Sequence, residues 1–251
     1  MQSDIARDIL ALGVRPGGVL LVHSSFKALG PRAGGPAAMI AGLREALGPE
    51  GTLLMPALSY AAVTPEHPVF DVRNTPSCVG IIPETFRRTP GVRRSLHPTH
   101  SVCALGPRAE DLLAEHESDT TPCGPGSPFH KLPTVRGQIL MLGCGLAPNT
   151  SMHAVEEVVI PPYLFGAPLQ YSLVLVDGTT RDKVYSTHGF AGWVQCYDRI
   201  GELLGAPDLR AGPVLQARGH LLEASSLWEC ALETLRGDPL AFVERARALE
   251  G

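Results

Sequence analysis

Apolar positions along the chain follow two rhythms, one helical and one strand-like. Between Ser3 and Leu12, Ile5, Ile9, Leu10 and Leu12 recur at helical spacing, with Asp4 in the first turn and Gly13 just beyond. That predicts a capped amphipathic helix. GVLLVHSSF (18–26) is a continuous apolar run entering a loop, as expected of a buried strand. Gly34, Gly35 and Pro36 open a second helix that runs through Leu47 and stops at Gly48, and GTLLMP (51–56) predicts a second buried strand. A short helix is expected around Ile82–Arg88. SVCALG (101–106) and QILMLG (138–143) predict two more strands, with the helical segment PRAEDLLAEH between them. Helix alternating with apolar strand predicts an α/β fold, a central mixed sheet flanked by helices.

The connections are unusually long. Residues 59–80 and 117–134 are rich in Pro, Thr, Ser and Gly, and structureless segments of that length in a compact domain are commonly functional. They are therefore expected to form a cleft. Tyr171–Val176 and Thr179–Tyr185 flank Asp177-Gly178, a hairpin signal. Helices are expected over 191–204, 220–236 and 239–248. No repeat or linker interrupts the pattern, which predicts one domain over 1–251.

Composition narrows the class. Apolar residues make up 44% of the 251 and charged residues 18%, a globular balance. A net charge of -4 leaves no basic footprint for nucleic acid. No stretch approaches the roughly 20 apolar residues of a membrane span, and MQSDIARDILALG has no signal-type core, so a cytoplasmic protein without a membrane partner is expected. The six cysteines are scattered, with no CxxC pair, and read as reduced thiols.

Histidine is the side chain suited to proton transfer near neutral pH, and three histidine sites fall at strand ends. His23 ends the first strand and precedes Ser24 and Ser25; His97 and His100 frame SLHPTHS before another strand; His153 lies in NTSMHAVEEV after QILMLG. Catalytic groups in α/β proteins gather at such junctions. Glu156 and Glu157, at i+3 and i+4 from His153, put a carboxylate beside the imidazole, where it could fix the tautomer of a general base. An ordinary acidic first turn and a satisfied histidine give the same pattern. The HSSF turn could hold phosphate through backbone N–H groups or simply be a turn; it lacks a GxSxG elbow. The basic run RRTPGVRRS (87–95) could meet phosphates or be a solvated face. Pro98 between His97 and His100, and the lack of HExxH or a Cys/His cluster, give no expectation of a metal.

Several long motifs then converge. VHSSFKALG (22–30), GPEGTLLMPALS (48–59), FDVRNTPS (70–77), IPETFRR (82–88), GVRRSLHPTHSV (91–102), CGPGSPF (123–129), ILMLGCGLAPNTSMHAVEE (139–157) and STHGF (186–190) together resemble the aminoglycoside 3-N-acetyltransferase family. The resemblance covers nearly the whole chain. It implies that acetyl-CoA and a small-molecule amine, an aminoglycoside, meet in a cleft, with His153 as general base, Glu156 as its orienting partner and His23 as a second active-site histidine. It also implies a CoA surface made of His23, Ser24 and Ser25 together with Arg94, Ser95, His97, His100, Ser101 and Val102. Asp71 and Glu157 are the expected acidic contacts to the cationic substrate. No cysteine matches a nucleophile, so direct transfer without an acetyl-enzyme is expected. One departure is Pro125 in CGPGSP, where many members carry an acid. Oligomeric state stays open, a homodimer included.

Overall fold

The computed structural model describes residues 3–246. In chain order the helices are α1 (Asp4–Leu12), α2 (Pro36–Leu47), α3 (Ile81–Arg87), α4 (Ala109–Leu113), α5 (Pro128–Lys131), α6 (Ser151–Val159), α7 (Ile200–Leu203) and α8 (Ala224–Gly237). The strands are β1 (Val19–Ser24), β2 (Thr52–Pro56), β3 (Val69–Asp71), β4 (Arg93–Arg94), β5 (Val102–Leu105), β6 (Gln138–Leu142), β7 (Leu169–Val174), β8 (Thr180–Tyr185), β9 (Trp193–Gln195), β10 (Leu209–Val214), β11 (Ala217–Glu223) and β12 (Val243–Arg245). No helix among the described residues is long and apolar enough to cross a membrane.

The main sheet has seven strands in the order β10-β11-β6-β1-β2-β5-β4. Its centre, β6-β1-β2, is parallel, and both flanks are antiparallel, so the sheet is mixed as expected. Alternation along β1 sorts its side chains to two faces. Leu20 and Val22 join a core with α1, α2 and α3, whereas Val19 and Leu21 join a core with α4, α5, α6 and α8. His23 continues the second series, so its ring points to the layer that carries α6. A separate three-stranded sheet, β3-β7-β8, packs Phe70, Tyr171, Leu173 and Tyr185 into a core of its own.

Local chemistry fixes the first elements as the pattern predicts. Ser3 Oγ accepts the Ala6 N–H at 3.2 Å, and Gly13 ends α1 at φ 109°. Asp177 Oδ1 accepts the Thr179 N–H at 2.9 Å, and Gly178 sits at φ 84°, closing the expected hairpin between β7 and β8.

The C-terminal third differs from the helical expectation. Within 191–204, Trp193–Gln195 is a strand paired with β12, and only Tyr197–Leu203 is helical. Residues His220–Glu223 are extended because they pair with Gln138–Met141, so α8 begins at Ala224. The expected helix over 239–248 is a turn held by Asp238 Oδ1 on the Leu240 N–H, followed by β12; residues 247 and 248 lie outside the described range. In each case pairing with a distant strand outweighs a weak local helical preference. The hairpin β10–β11 carries Gly212 and Pro213, which obscure its alternation. The long connections are also less irregular than expected: β3 lies within 59–80, and α5, capped by Ser127, lies within 117–134. The helix expected over PRAEDLLAEH shortens to α4.

Candidate active site

A cleft of about 660 Å³ opens beyond the C-terminal ends of β1 and β6. Parallel strands deliver their following loops to this end, which is where ligands of open α/β sheets bind. Its floor carries His23 and Ser24 from β1, His100 from the turn before β5, and His153 from the first turns of α6. Its outer wall carries Leu169 and Tyr171 of β7, then Thr187, His188 and Phe190 after β8, Gln195 of β9, and Tyr197.

Helix α6 starts where Asn149 Oδ1 accepts the Ser151 N–H at 3.1 Å. The i+3 spacing then places Glu156 Oε2 at 3.0 Å from His153 Nδ1. Glu156 is fully buried, and three donors meet its oxygens. Tyr197 donates its hydroxyl to Oε2 at 2.6 Å, Tyr163 donates to Oε1 at 2.8 Å, and His153 supplies the third. The Tyr197 oxygen is also 2.9 Å from His153 Nδ1. Burial, then the Glu156 charge, holds both phenols above their ordinary range, so both remain protonated donors. Tyr163 reaches back because α6 stops at Ile160, in the left-handed region at φ 54°, before Pro161-Pro162.

Other imidazoles surround His153. The His188 and His100 ring centroids lie 4.5 and 5.9 Å from it. His188 bonds Glu157 Oε1 through Nε2 at 3.2 Å, and His100 bonds the Thr99 hydroxyl through Nδ1 at 2.9 Å. Burial and the neighbouring rings push both well below the usual histidine range, so both are neutral. His23 is lowered to about 3, first by burial and then by His153. Its Nε2 is buried without a partner among the described residues. Burial raises Glu157 to about 7.

Of the residues singled out in the sequence, His23, Ser24, His100 and His153 line the cleft, and Glu156 lies directly behind His153. The rest are held elsewhere. Asp71 caps a turn, accepting the Arg73 and Asn74 N–H groups at 2.8 and 2.9 Å. Glu157 accepts the Cys123 N–H at 2.7 Å and meets the cleft only through His188. Ser25 spends its N–H on the Leu142 carbonyl at 2.9 Å, as part of the sheet. Arg94 is an internal clamp, donating to Ser101 Oγ and to the Ala57 and Thr75 carbonyls, with its guanidinium 4.7 Å from the centre of the Phe70 ring. Ser95 Oγ accepts the Val102 N–H and bonds His116, on whose ring His97 stacks at 4.9 Å. His97 Nδ1 accepts the Thr99 and His100 N–H groups, which shapes the turn that presents His100. Val102 is a core residue of β5. The basic run is also largely spent: Arg87 and Arg88 pair with Glu84, and Arg93 pairs with Glu110.

Sequence pattern assigns no role to Tyr197, Tyr163 or His188. His188 sits in the STHGF motif, which carries a signal; Tyr197, 44 positions from His153, carries none. Among the described residues, no side chain lining the cleft is a carboxylate, lysine or arginine.

Comparison with known proteins places the chain. The profile described as aminoglycoside 3-N-acetyltransferase matches residues 21–236. Aminoglycoside N(3)-acetyltransferase IV of Salmonella sp is 36% identical over 250 residues, covering 96% of this chain and 90% of its own. A variant of aminoglycoside acetyltransferase AAC(3)-IVa with one histidine replaced by alanine, solved with a gentamicin, superposes with a TM-score of 0.80 at 33% identity, covering 96% of this chain and 90% of that one. AAC-IIIb in binary complex with CoASH superposes at 0.82 with 28% identity, covering 94% and 96%. With the matched profile spanning most of its length, the chain belongs to the aminoglycoside 3-N-acetyltransferase family, a family of acyltransferases.

Proposed function

We propose that this chain transfers the acetyl group of acetyl-CoA to the 3-amino group of a 2-deoxystreptamine aminoglycoside by direct attack, with His153 as general base. The observation that carries this reading is the His153–Glu156 pair at the cleft floor, in a member of this family. An ammonium ion has no lone pair with which to attack a thioester. Nε2 of His153 accepts the amine proton as nitrogen bonds to the carbonyl carbon, and the resulting imidazolium is stabilised through Nδ1–H by the buried Glu156 carboxylate. Collapse of the tetrahedral adduct breaks the carbon–sulfur bond, and the CoA thiolate takes up a proton. A positioned base of this kind contributes about 10²–10⁴-fold. His23, neutral and on the same floor, borders the reacting groups. Cys144, the cysteine on the cleft wall, is pushed up to about 11 by burial, which leaves little thiolate and favours direct transfer over an acetyl-cysteine.

The relatives solved with CoASH and with a gentamicin support the two substrate classes. One observation favours a second reading, transfer to a less cationic amine: the lining carries no carboxylate to meet several ammonium groups. The deciding experiment measures thiol release from acetyl-CoA against a gentamicin-class panel and locates the acetyl group by NMR. Turnover at the 3-amino group that is lost in His153→Ala, with acetyl-CoA affinity retained, is the expected outcome. Full CoA binding without turnover on any panel member would assign the acceptor to another amine.

A further inference from the structure

We propose that His100, His153 and His188 form a binding site for a zinc-type divalent cation, and that its occupation switches the enzyme off. One ligand nitrogen from each of the three rings lies within 4.8 Å of the other two. The rings come from three different elements, the turn before β5, helix α6 and the segment after β8, so the grouping is a product of the tertiary fold. They do not stack: the planes meet at 83° for His100 and His153, 77° for His100 and His188, and 44° for His153 and His188. Each ring is anchored on one side, His153 Nδ1 to Glu156, His188 Nε2 to Glu157 and His100 Nδ1 to Thr99 Oγ1. Each opposite nitrogen has no protein partner among the described residues.

A carboxylate or oxygen acceptor behind each imidazole is the arrangement that metal-ligating histidines adopt, because it fixes the tautomer and strengthens the donor nitrogen. Zinc–nitrogen bonds of about 2.0–2.1 Å set tetrahedral nitrogens about 3.4 Å apart, so the rings close inward by about an ångström. The fourth position faces the cleft and suits water. Three nitrogen donors select zinc, cobalt, nickel or copper over magnesium and calcium, which take oxygen. Glu156, one layer behind His153, lies within a hydrogen bond of the ligand ring. An ion held by His153 takes the lone pair that would receive the amine proton. The inhibitory half of the proposal therefore rests on His153 as base, whereas the binding half does not.

The test is titration of the chelator-dialysed full chain with Co²⁺, read by visible absorption. One equivalent, with d–d bands, no thiolate charge-transfer band, and displacement by Zn²⁺ but not by Mg²⁺ or Ca²⁺, is expected. His100→Asn and His188→Asn should each weaken binding at least 10-fold, with near-UV circular dichroism retained, while His67→Asn and Cys144→Ser should not. Two ligand variants guard against one failing to fold. Absence of stoichiometric binding, or affinity unchanged in both ligand variants, overturns the site. Zn²⁺ should abolish acetyl transfer over the concentration range in which it displaces Co²⁺, and a chelator should restore it. Histidine-dependent binding without loss of turnover overturns the switch and leaves the metal site intact, whereas His153 as base is tested separately by His153→Ala.

Discussion

The Tyr197 hydroxyl lies 2.6 Å from Glu156 Oε2, a carboxylate with no solvent-exposed surface. A buried carboxylate is costly unless its lone pairs are met. Here two phenols meet them in place of a cation, with the imidazole as the third donor. Tyr197→Phe should lower kcat about 10-fold, the worth of one hydrogen bond to a charged group. The KM for acetyl-CoA should stay nearly unchanged. Steady-state kinetics with both substrates varied will show whether the loss is confined to kcat.

Glu156→Gln tests the charge itself. The amide keeps the shape and one acceptor oxygen but cannot stabilise an imidazolium, so a charge-assisted bond of about 1.5–3 kcal/mol is lost. That corresponds to about 10–100-fold in kcat. A calorimetric titration with CoA should show affinity within about twofold of the parent protein, because the carboxylate faces the imidazole and not the cofactor.

Acid stability should carry the signature of Glu84. Its oxygens accept from Arg87 and Arg88 at 2.6–2.8 Å and from the Ser77 N–H at 2.8 Å, and the Arg87 bonds hold its carboxyl down to about 2 from an ordinary 4.5. The unfolded chain takes up this proton first as pH falls. The stabilisation is therefore complete above about 4.5 and is lost as pH drops towards 2. Urea unfolding midpoints measured from mildly acidic pH downwards should fall more steeply for the parent protein than for Glu84→Gln.

The end of α6 stores backbone strain. Ile160 is β-branched, 60% exposed and at φ 54°, where a side chain costs roughly 1–2 kcal/mol. Ile160→Gly should raise Tm by about 2–4 °C for about 1 kcal/mol in a chain of this size. Differential scanning fluorimetry is sufficient to measure it.

Acceptor preference should respond to charge placed on the wall. Tyr60 lines the cleft and is 53% exposed, far from the His153–Glu156 machinery in the chain. Tyr60→Asp should lower KM for a polycationic aminoglycoside at low ionic strength. The gain should fade towards about 0.15 M salt, where charges are screened over about 8 Å.

The central strands and the His153–Glu156 pair are legible in the sequence because both depend on short-range spacing: β1, β2 and β6 are apolar runs, and the pair is one helical turn. The partners of that pair are not. Tyr163 reaches Glu156 only after the Ile160-Pro161-Pro162 reversal, and Tyr197 arrives from beyond β9, so neither contact leaves a periodic trace. The same holds for β11 and β12, whose extended form is set by strands distant in sequence. The side chains of Arg94 and Ser101 show the converse, being bonded to each other and to the Ala57 carbonyl inside the fold. A motif that reads as a ligand surface can instead be the internal frame that holds such a surface in place, since a buried guanidinium needs several carbonyls and finds them in the loops it ties together.

The floor of the cleft is carried by the large sheet, at the ends of β1 and β6 and the turn before β5, whereas much of its outer wall comes from β7, the segment after β8, and β9. The two sides of the cleft are thus separately built parts joined at a seam. Substitutions in the wall therefore need not unsettle the strand end that carries His23 or the His153–Glu156 pair on α6.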